Sequence, residues 1–203
     1  MKYAENADIV REYRAAFRKH ANNGIIDMDD YLQHTFSFQI HRLEDIVSAW
    51  EGIIPAYRQS QFLFALVNKG TGEKTIGHYR FPIQKNTLFV VAPRVPNSSK
   101  YYALDCSGFM LSFNMKFFLE HFPQSILANK KIFKQSVRPY VVLSNDQADH
   151  LSNIFEFLLE EYKQLFTNKD QMIAARVLEL LIQCERYFEG PASYHETDSY
   201  SKV

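Results

Sequence analysis

The sequence predicts a mainly β fold with added α: a barrel or sandwich of short strands, a pair of helices after it and one helix in front. Three observations predict it. Apolar runs of five to eight residues, punctuated by Gly, Pro and Asn, recur across residues 31–143, the spacing of a small all-β unit. Two long stretches after residue 144 carry apolar residues at helical spacing. Residues 1–30 are charged and helical in pattern, and a polar stop follows.

In the N-terminal segment Ile9, Tyr13, Ala16, Phe17 and His20 share one helical face, and Asn22, Asn23 and Gly24 end it. In "TFSFQIHRL" the residues Phe36, Phe38 and Ile40 alternate, the mark of a half-buried strand. "QFLFALVNKGTGEKTIGHYRF" reads as a hairpin, with arms Phe62–Val67 and Lys74–Phe81 joined through Gly70 and Gly72. "NTLFVVAP" is apolar on both faces, so the strand is expected to be covered on two sides. "SGFMLSF" is a further strand. "NMKFFLEHFP" is a short capped helix stopped before Pro123. "SVRPYVVLS" supplies a last strand, with its apolar part from Tyr140 to Leu143.

The C-terminal helices occupy residues 144–190. Ser144 lies three residues before Gln147, the capping-box spacing. Leu151, Ile154, Phe155, Leu158, Tyr162 and Leu165 form one stripe. In the second helix Ile173, Val177, Leu180 and Cys184 form a stripe that Ala174, Leu178 and Leu181 widen. An arc that wide predicts two partners: the rest of the chain on one side, and a second copy against Ile173, Val177, Leu178, Leu181 and Cys184. Residues 191–203 are polar and aperiodic, a linker or tail.

Composition narrows the function. The 203 residues carry 23 basic and 23 acidic side chains, so no net field draws the chain to nucleic acid or to an anionic membrane. Cys106 and Cys184 are far apart and outside any metal-binding spacing, which reads as two buried thiols in a reducing, cytoplasmic setting. No apolar run is long enough for a transmembrane helix, and the start lacks the apolar core of a secretory signal.

The stretch "KGTGEKTIGHYRFPIQKNTLFVVAPRVPNSSKYYALDCSGFMLSFNMKFF" resembles the N-terminal regulatory domain of AraC-type transcription regulators. The matching elements are the Gly70-Thr71-Gly72 turn, the Lys85-Asn86-Thr87-Leu88 entry to a strand, Pro93 after it, and Gly108 to Phe113 before a Phe-rich helix. The resemblance runs from about Phe36 to Phe188, and the two C-terminal helices look like that family's dimerisation helices. It implies a cupin-like (jelly-roll) β-barrel sensor over residues 31–143, followed by an antiparallel helical dimerisation arm. It also implies a small-molecule effector such as a sugar or an organic acid, self-pairing into a homodimer, and action on DNA only through a separate helix-turn-helix domain.

Metal-binding cupins carry an H-x-H pair, a nearby Glu and a later His. The corresponding positions here are His78, Arg80, Gln84 and Asn97. A guanidinium cannot ligate a cation and one imidazole does not hold one, so neither a metal nor another cofactor is expected. The set suits a small-molecule pocket instead, with Arg58, Gln61, His78, Arg80 and Asn97 as polar contacts and Phe62, Phe64 and Tyr102 as walls. If Ile76, His78 and Arg80 face inward, His78 and Arg80 line the pocket; in the other register Tyr79 and Phe81 do. No nucleophile elbow is present, so no catalytic residue is expected. The alternative readings are a stand-alone metal-dependent cupin enzyme of sugar isomerase or dioxygenase type, and a filled barrel that only dimerises.

Overall fold

The computed structural model describes residue 15 and residues 25–28, 37–123, 125–128 and 138–189. The expected N-terminal helix, apart from Ala15, and the tail after residue 190 lie outside the described residues. Ten strands form two five-stranded sheets. The strands are β1 (Ile26–Asp27), β2 (Phe38–Arg42), β3 (Ile53–Arg58), β4 (Phe62–Lys69), β5 (Gly72–Ile76), β6 (Tyr79–Ile83), β7 (Thr87–Val91), β8 (Asn97–Tyr101), β9 (Ser107–Phe113) and β10 (Tyr140–Val142). The helices are α1 (Leu43–Ala49), α2 (Met115–Leu119), α3 (Ser125–Ala128), α4 (Asn145–Lys163) and α5 (Lys169–Glu189).

One sheet runs β1-β3-β8-β5-β6 and the other β10-β7-β4-β9-β2. From β2 to β9 successive strands alternate between the sheets except for β5 and β6, which share one, and the orders β3-β8-β5-β6 and β7-β4-β9-β2 are those of an eight-strand jelly roll. The expected barrel is therefore an open sandwich, and no ladder among the described residues joins the two sheets.

The expected hairpin across Gly70 is corrected. β4 pairs with β7 and β9, while β5 pairs with β6 and β8, so Gly70–Thr71 carries the chain from one sheet to the other. A Cβ on Gly72 would lie 2.3 Å from the Lys100 carbonyl oxygen, so only glycine admits β8 this close. The true hairpin is β5–β6, turning at Gly77 (φ 57°) and His78. A helix absent from the expectation, α1, buries Leu43, Ile46 and Val47 at helical spacing.

Both faces of the β10-β7-β4-β9-β2 sheet are covered, as the two-sided apolar run of β7 predicts: all five of its residues are buried. The outer face, with Phe38, Ile40, Phe64, Leu66, Phe109 and Phe113, packs on α4 and α5. Phe109 stacks on Phe155 of α4 at 5.3 Å between centroids. The inner face, with Leu63, Ala65, Val67, Phe89 and Val91, meets Ile76, Phe81 and Ile83 of the other sheet.

The start of α4 follows its sequence signal. Ser144 Oγ accepts from the Gln147 backbone N–H, and the Gln147 side chain accepts from the Ser144 N–H. Asn114 caps α2 in the same manner, accepting from Phe117 N at 2.8 Å. The α4 stripe stops at Tyr162: the helix ends at Lys163 and leaves Leu165 91% exposed.

The wide arc of α5 has a different explanation from the expected one. Ile173, Val177, Leu181 and Cys184 are each at most 1% exposed within this single chain, and only Leu178 of the proposed seam is half-buried. The sheet and α4 between them cover both stripes, so those four residues are core and not available to a second copy. No helix among the described residues is long and apolar enough to cross a membrane.

Candidate functional site

The space between the sheets is not uniformly apolar. Alternation decides which residues enter it. On β2, Phe38 and Ile40 join the helix-side cluster and Arg42 reaches Glu156 of α4 at 2.5 Å. Gln39 and His41 therefore point the other way, between the sheets, and each is 3% exposed. On β5, Lys74 shares a face with Gly72 and Ile76; on β8, Asn97, Ser99 and Tyr101 share one. The cross-strand partners Tyr57, Asn97 and Ile76 form one inward row, and Ile54, Ser99, Lys74 and Phe81 the next.

Lys74 of β5 is the buried charge-bearing side chain of this interior. Its Nζ donates to Asn97 Oδ1 at 2.7 Å and to Ser99 Oγ at 3.0 Å, and lies 4.9 Å from the centroid of the Phe89 ring. No Asp or Glu pairs with it among the described residues. Burial without a counter-charge lowers its pKa from 10.5 to about 7. Asn97 Nδ2 donates to the Tyr57 carbonyl at 3.3 Å. Burial pushes the Tyr57 hydroxyl up to about 12, partly offset by a hydrogen bond with the Asn97 side chain. Burial holds His41 down at about 4, so it is neutral at physiological pH.

The donors exceed the acceptors. Gln39 Nε2, His41 Nδ1 and Gln59 Nε2 are buried without a hydrogen-bond partner. Gln61 Oε1 accepts from Ser112 Oγ at 3.1 Å beside them. Buried orphaned polar atoms are costly, and two of these three sit two residues apart on β2.

The structure redistributes the residues expected at the pocket. Asn97 and Gln61 are inside, as part of this cluster. Phe62 and Phe64 belong to the opposite face of their strand and support the helices. Arg58 is exposed and pairs with Asp27 at 2.9 Å, with Arg94 on the same carboxylate. Arg80 is exposed and pairs with Glu73, and Tyr102 is 63% exposed. His78 is exposed in the β5–β6 turn, against the Tyr79 ring at 4.1 Å. The two-residue turn explains the last correction. Ile76 and Tyr79 are cross-strand partners and share the inward face, so alternation does not carry through the turn to Arg80.

The residues missed were Lys74, Ser99, Gln39 and His41. The signal existed: Lys74 alternates with Ile76, and Gln39 and His41 alternate against Phe38 and Ile40. This donor set does not fit a metal. It offers one imidazole, a lysine amine and neutral amides, and no group of three His, Cys, Asp or Glu side chains comes together among the described residues.

No protein-family model matches the sequence, and no curated protein aligns with it. Among solved structures the chain is similar to the Schizosaccharomyces pombe Cnp3 cupin domain. They are 17% identical over 34% of this chain and 50% of that one, with a TM-score of 0.30. It is also similar to oxalate decarboxylase from Bacillus subtilis, 17% identical over 37% of this chain and 24% of that one, with a TM-score of 0.26. The match spans half the length of the first and about a quarter of the second. Such scores carry no residue or activity across; the jelly-roll assignment rests on the strand order.

Proposed function

We infer that the chain is a cupin-like ligand-sensing domain that binds a small polar molecule between its sheets and does no chemistry on it. The observations that support this are the three buried donors without partners, on Gln39, His41 and Gln59, and the buried Lys74 held by Asn97 and Ser99, polar groups set in a largely apolar interior as in small-molecule pockets.

The route of the signal is strand β2. Its inward residues, Gln39 and His41, belong to the pocket, and its outward residues, Phe38, Ile40 and Arg42, hold α4 and α5. A second tie joins Asn68 of β4 to Ser152 of α4 at 2.8 Å. A ligand that prefers one placement of β2 shifts the helices by as much as its affinity differs between placements. This arrangement suits the resemblance to AraC-type regulators, in which such helices pair two copies in the cytoplasm and control a DNA-binding unit. On this chain the pairing would use the outward side of α5 around Leu178 and Ile182.

Thermal-shift screening of sugars and organic acids, followed by hydrogen exchange with the best binder, tests the reading. Slower exchange in both β2 and α4 is expected. Turnover of the bound compound would replace it with an enzyme, and protection that stops at the sheets would remove the signalling role.

A further inference from the structure

We propose that the ligand is a small organic acid whose carboxylate lies against Lys74 and whose other end carries a second acceptor oxygen, received by Gln39, His41 and Gln59. The proposal rests on the sensing reading above and names the chemistry of its ligand.

The first part follows from charge. Lys74 Nζ has two neutral hydrogen-bond partners and an aromatic face, but no anion. A buried ammonium in this setting lacks only a counter-charge, and a carboxylate supplies one together with acceptor oxygens. The second part follows from the sign of the orphaned atoms. Gln39 Nε2 and Gln59 Nε2 are donors, and neutral His41 donates from Nδ1 in one tautomer. Such a set selects an acceptor oxygen and not a hydroxyl-free hydrocarbon.

Register sets the length. His41, Met110, Ala65 and Phe89 form one row across β2, β9, β4 and β7. The Lys74 amine sits over the Phe89 end of that row, and the orphaned His41 is at the other. Three strand spacings separate them, about 14 Å between backbones. Side chains shorten that span to the length of an elongated acid of about four to eight carbons at roughly 1.3 Å per carbon, which a phosphate or a single acetate would not bridge.

Binding carries a proton with it. The other titratable groups of the interior are His41 on β2, Tyr57 on β3, Tyr79 on β6, Tyr101 on β8, Cys106 before β9 and Tyr140 on β10. Burial leaves the amine largely neutral at pH 8, and on binding a carboxylate it takes up a proton from solvent.

Calorimetric titration of the whole chain at pH 8 tests this, in two buffers of different ionisation enthalpy. The probes are adipate, 5-oxohexanoate, hexanoate, 1,6-hexanediol and glucose. Adipate and 5-oxohexanoate should bind at least tenfold tighter than hexanoate, each taking up close to one proton, and hexanediol and glucose should not bind. Lys74→Met should abolish acid binding while keeping the circular dichroism spectrum. Asn97→Asp, which gives Lys74 an internal carboxylate, should weaken the acids tenfold and remove proton uptake. Acid binding that survives Lys74→Met, or uptake of no proton, overturns the proposal. Glucose or hexanediol binding without the acids would overturn it and leave the sensing reading standing. Silence from every probe and from the wider screen would remove both.

Discussion

The two faces of one sheet are built to opposite rules. Toward the helices, β2, β4, β7 and β9 present Phe, Leu, Ile and Val, and rings meet rings: Phe62 on Phe113 at 5.4 Å, Phe109 on Phe155 at 5.3 Å. Toward the other sheet, the same strands present Gln39, His41 and Ser112 among their apolar residues, and Lys74, Asn97 and Ser99 answer from across the gap. The first layer holds the molecule together and the second stores unmet hydrogen-bonding capacity. A fold can afford the second because the first is so dry.

The largest expected effect tests the helix-side layer. Leu181 is fully buried, so Leu181→Asp loses core packing and buries a charge; a loss of more than about 5 kcal/mol is expected, leaving the chain unfolded by circular dichroism. Its neighbour Ile182 is 36% exposed, and Ile182→Asp should change stability by less than about 0.5 kcal/mol. Light scattering on the folded Ile182→Asp variant then reads self-pairing through the outer side of α5. A folded Leu181→Asp chain would show that α5 is not core.

The inter-sheet layer predicts the opposite response to removing a polar group. Lys74 titrates near 10.5 when unfolded and about 7 when folded, so the unfolded chain holds more protons between those values. Stability therefore rises as pH goes from 7 toward 10.5. The contribution is on the order of 4 kcal/mol. Urea melts across that window should show the rise in wild type and its absence in Lys74→Met, which should also be the more stable protein at pH 7. Equal slopes in the two would place the amine in water.

His41 gives a smaller effect on the acid side. Its pKa is 6.5 unfolded and about 4 folded, so protons again favour the unfolded chain and stability falls as pH drops from 6.5 through 4. The loss should reach about 3 kcal/mol, and His41→Gln should lack it. Carboxylates also titrate in this range, so the difference between variant and wild type is the quantity to measure.

Alternation within a strand was legible in the sequence, and its orientation relative to the fold was not. β7 and β9, the Asn114 and Ser144 caps and the stripe of α4 could be read because each depends on neighbours in the chain. The partner of each strand could not. Phe62 and Phe64 were expected in the pocket because the helices behind them were not yet known to cover that face. Arg80 was misplaced because a two-residue turn sets Ile76 opposite Tyr79, a relation that spacing alone does not contain. Lys74 was read only as the start of a strand; the approach of β8, through Gly72, encloses it. The breadth of the apolar arc on α5 was read correctly, but the sheet and α4 supply the second cover that was assigned to another chain.

The smallest effect sharpens the comparison at the join between helix and sheet. Ser144, two residues after the end of β10, caps α4, and its capping box satisfies two backbone donors. Asn145, the first residue of the helix, accepts from Asn86 Nδ2 at 3.0 Å at the entry to β7, so the helix start is tied to the sheet by a second bond. Ser144→Ala removes one cap hydrogen bond and should cost about 1 kcal/mol. The loss should appear in melts at every pH from 4 to 10, because no titrating group takes part. Ligand affinity should stay the same, since the cap lies on the helix side of the sheet. A drop in affinity would mean that the dry layer and the polar layer are coupled through the placement of α4, and the division of labour between the two faces would have to be redrawn as a single mechanical unit.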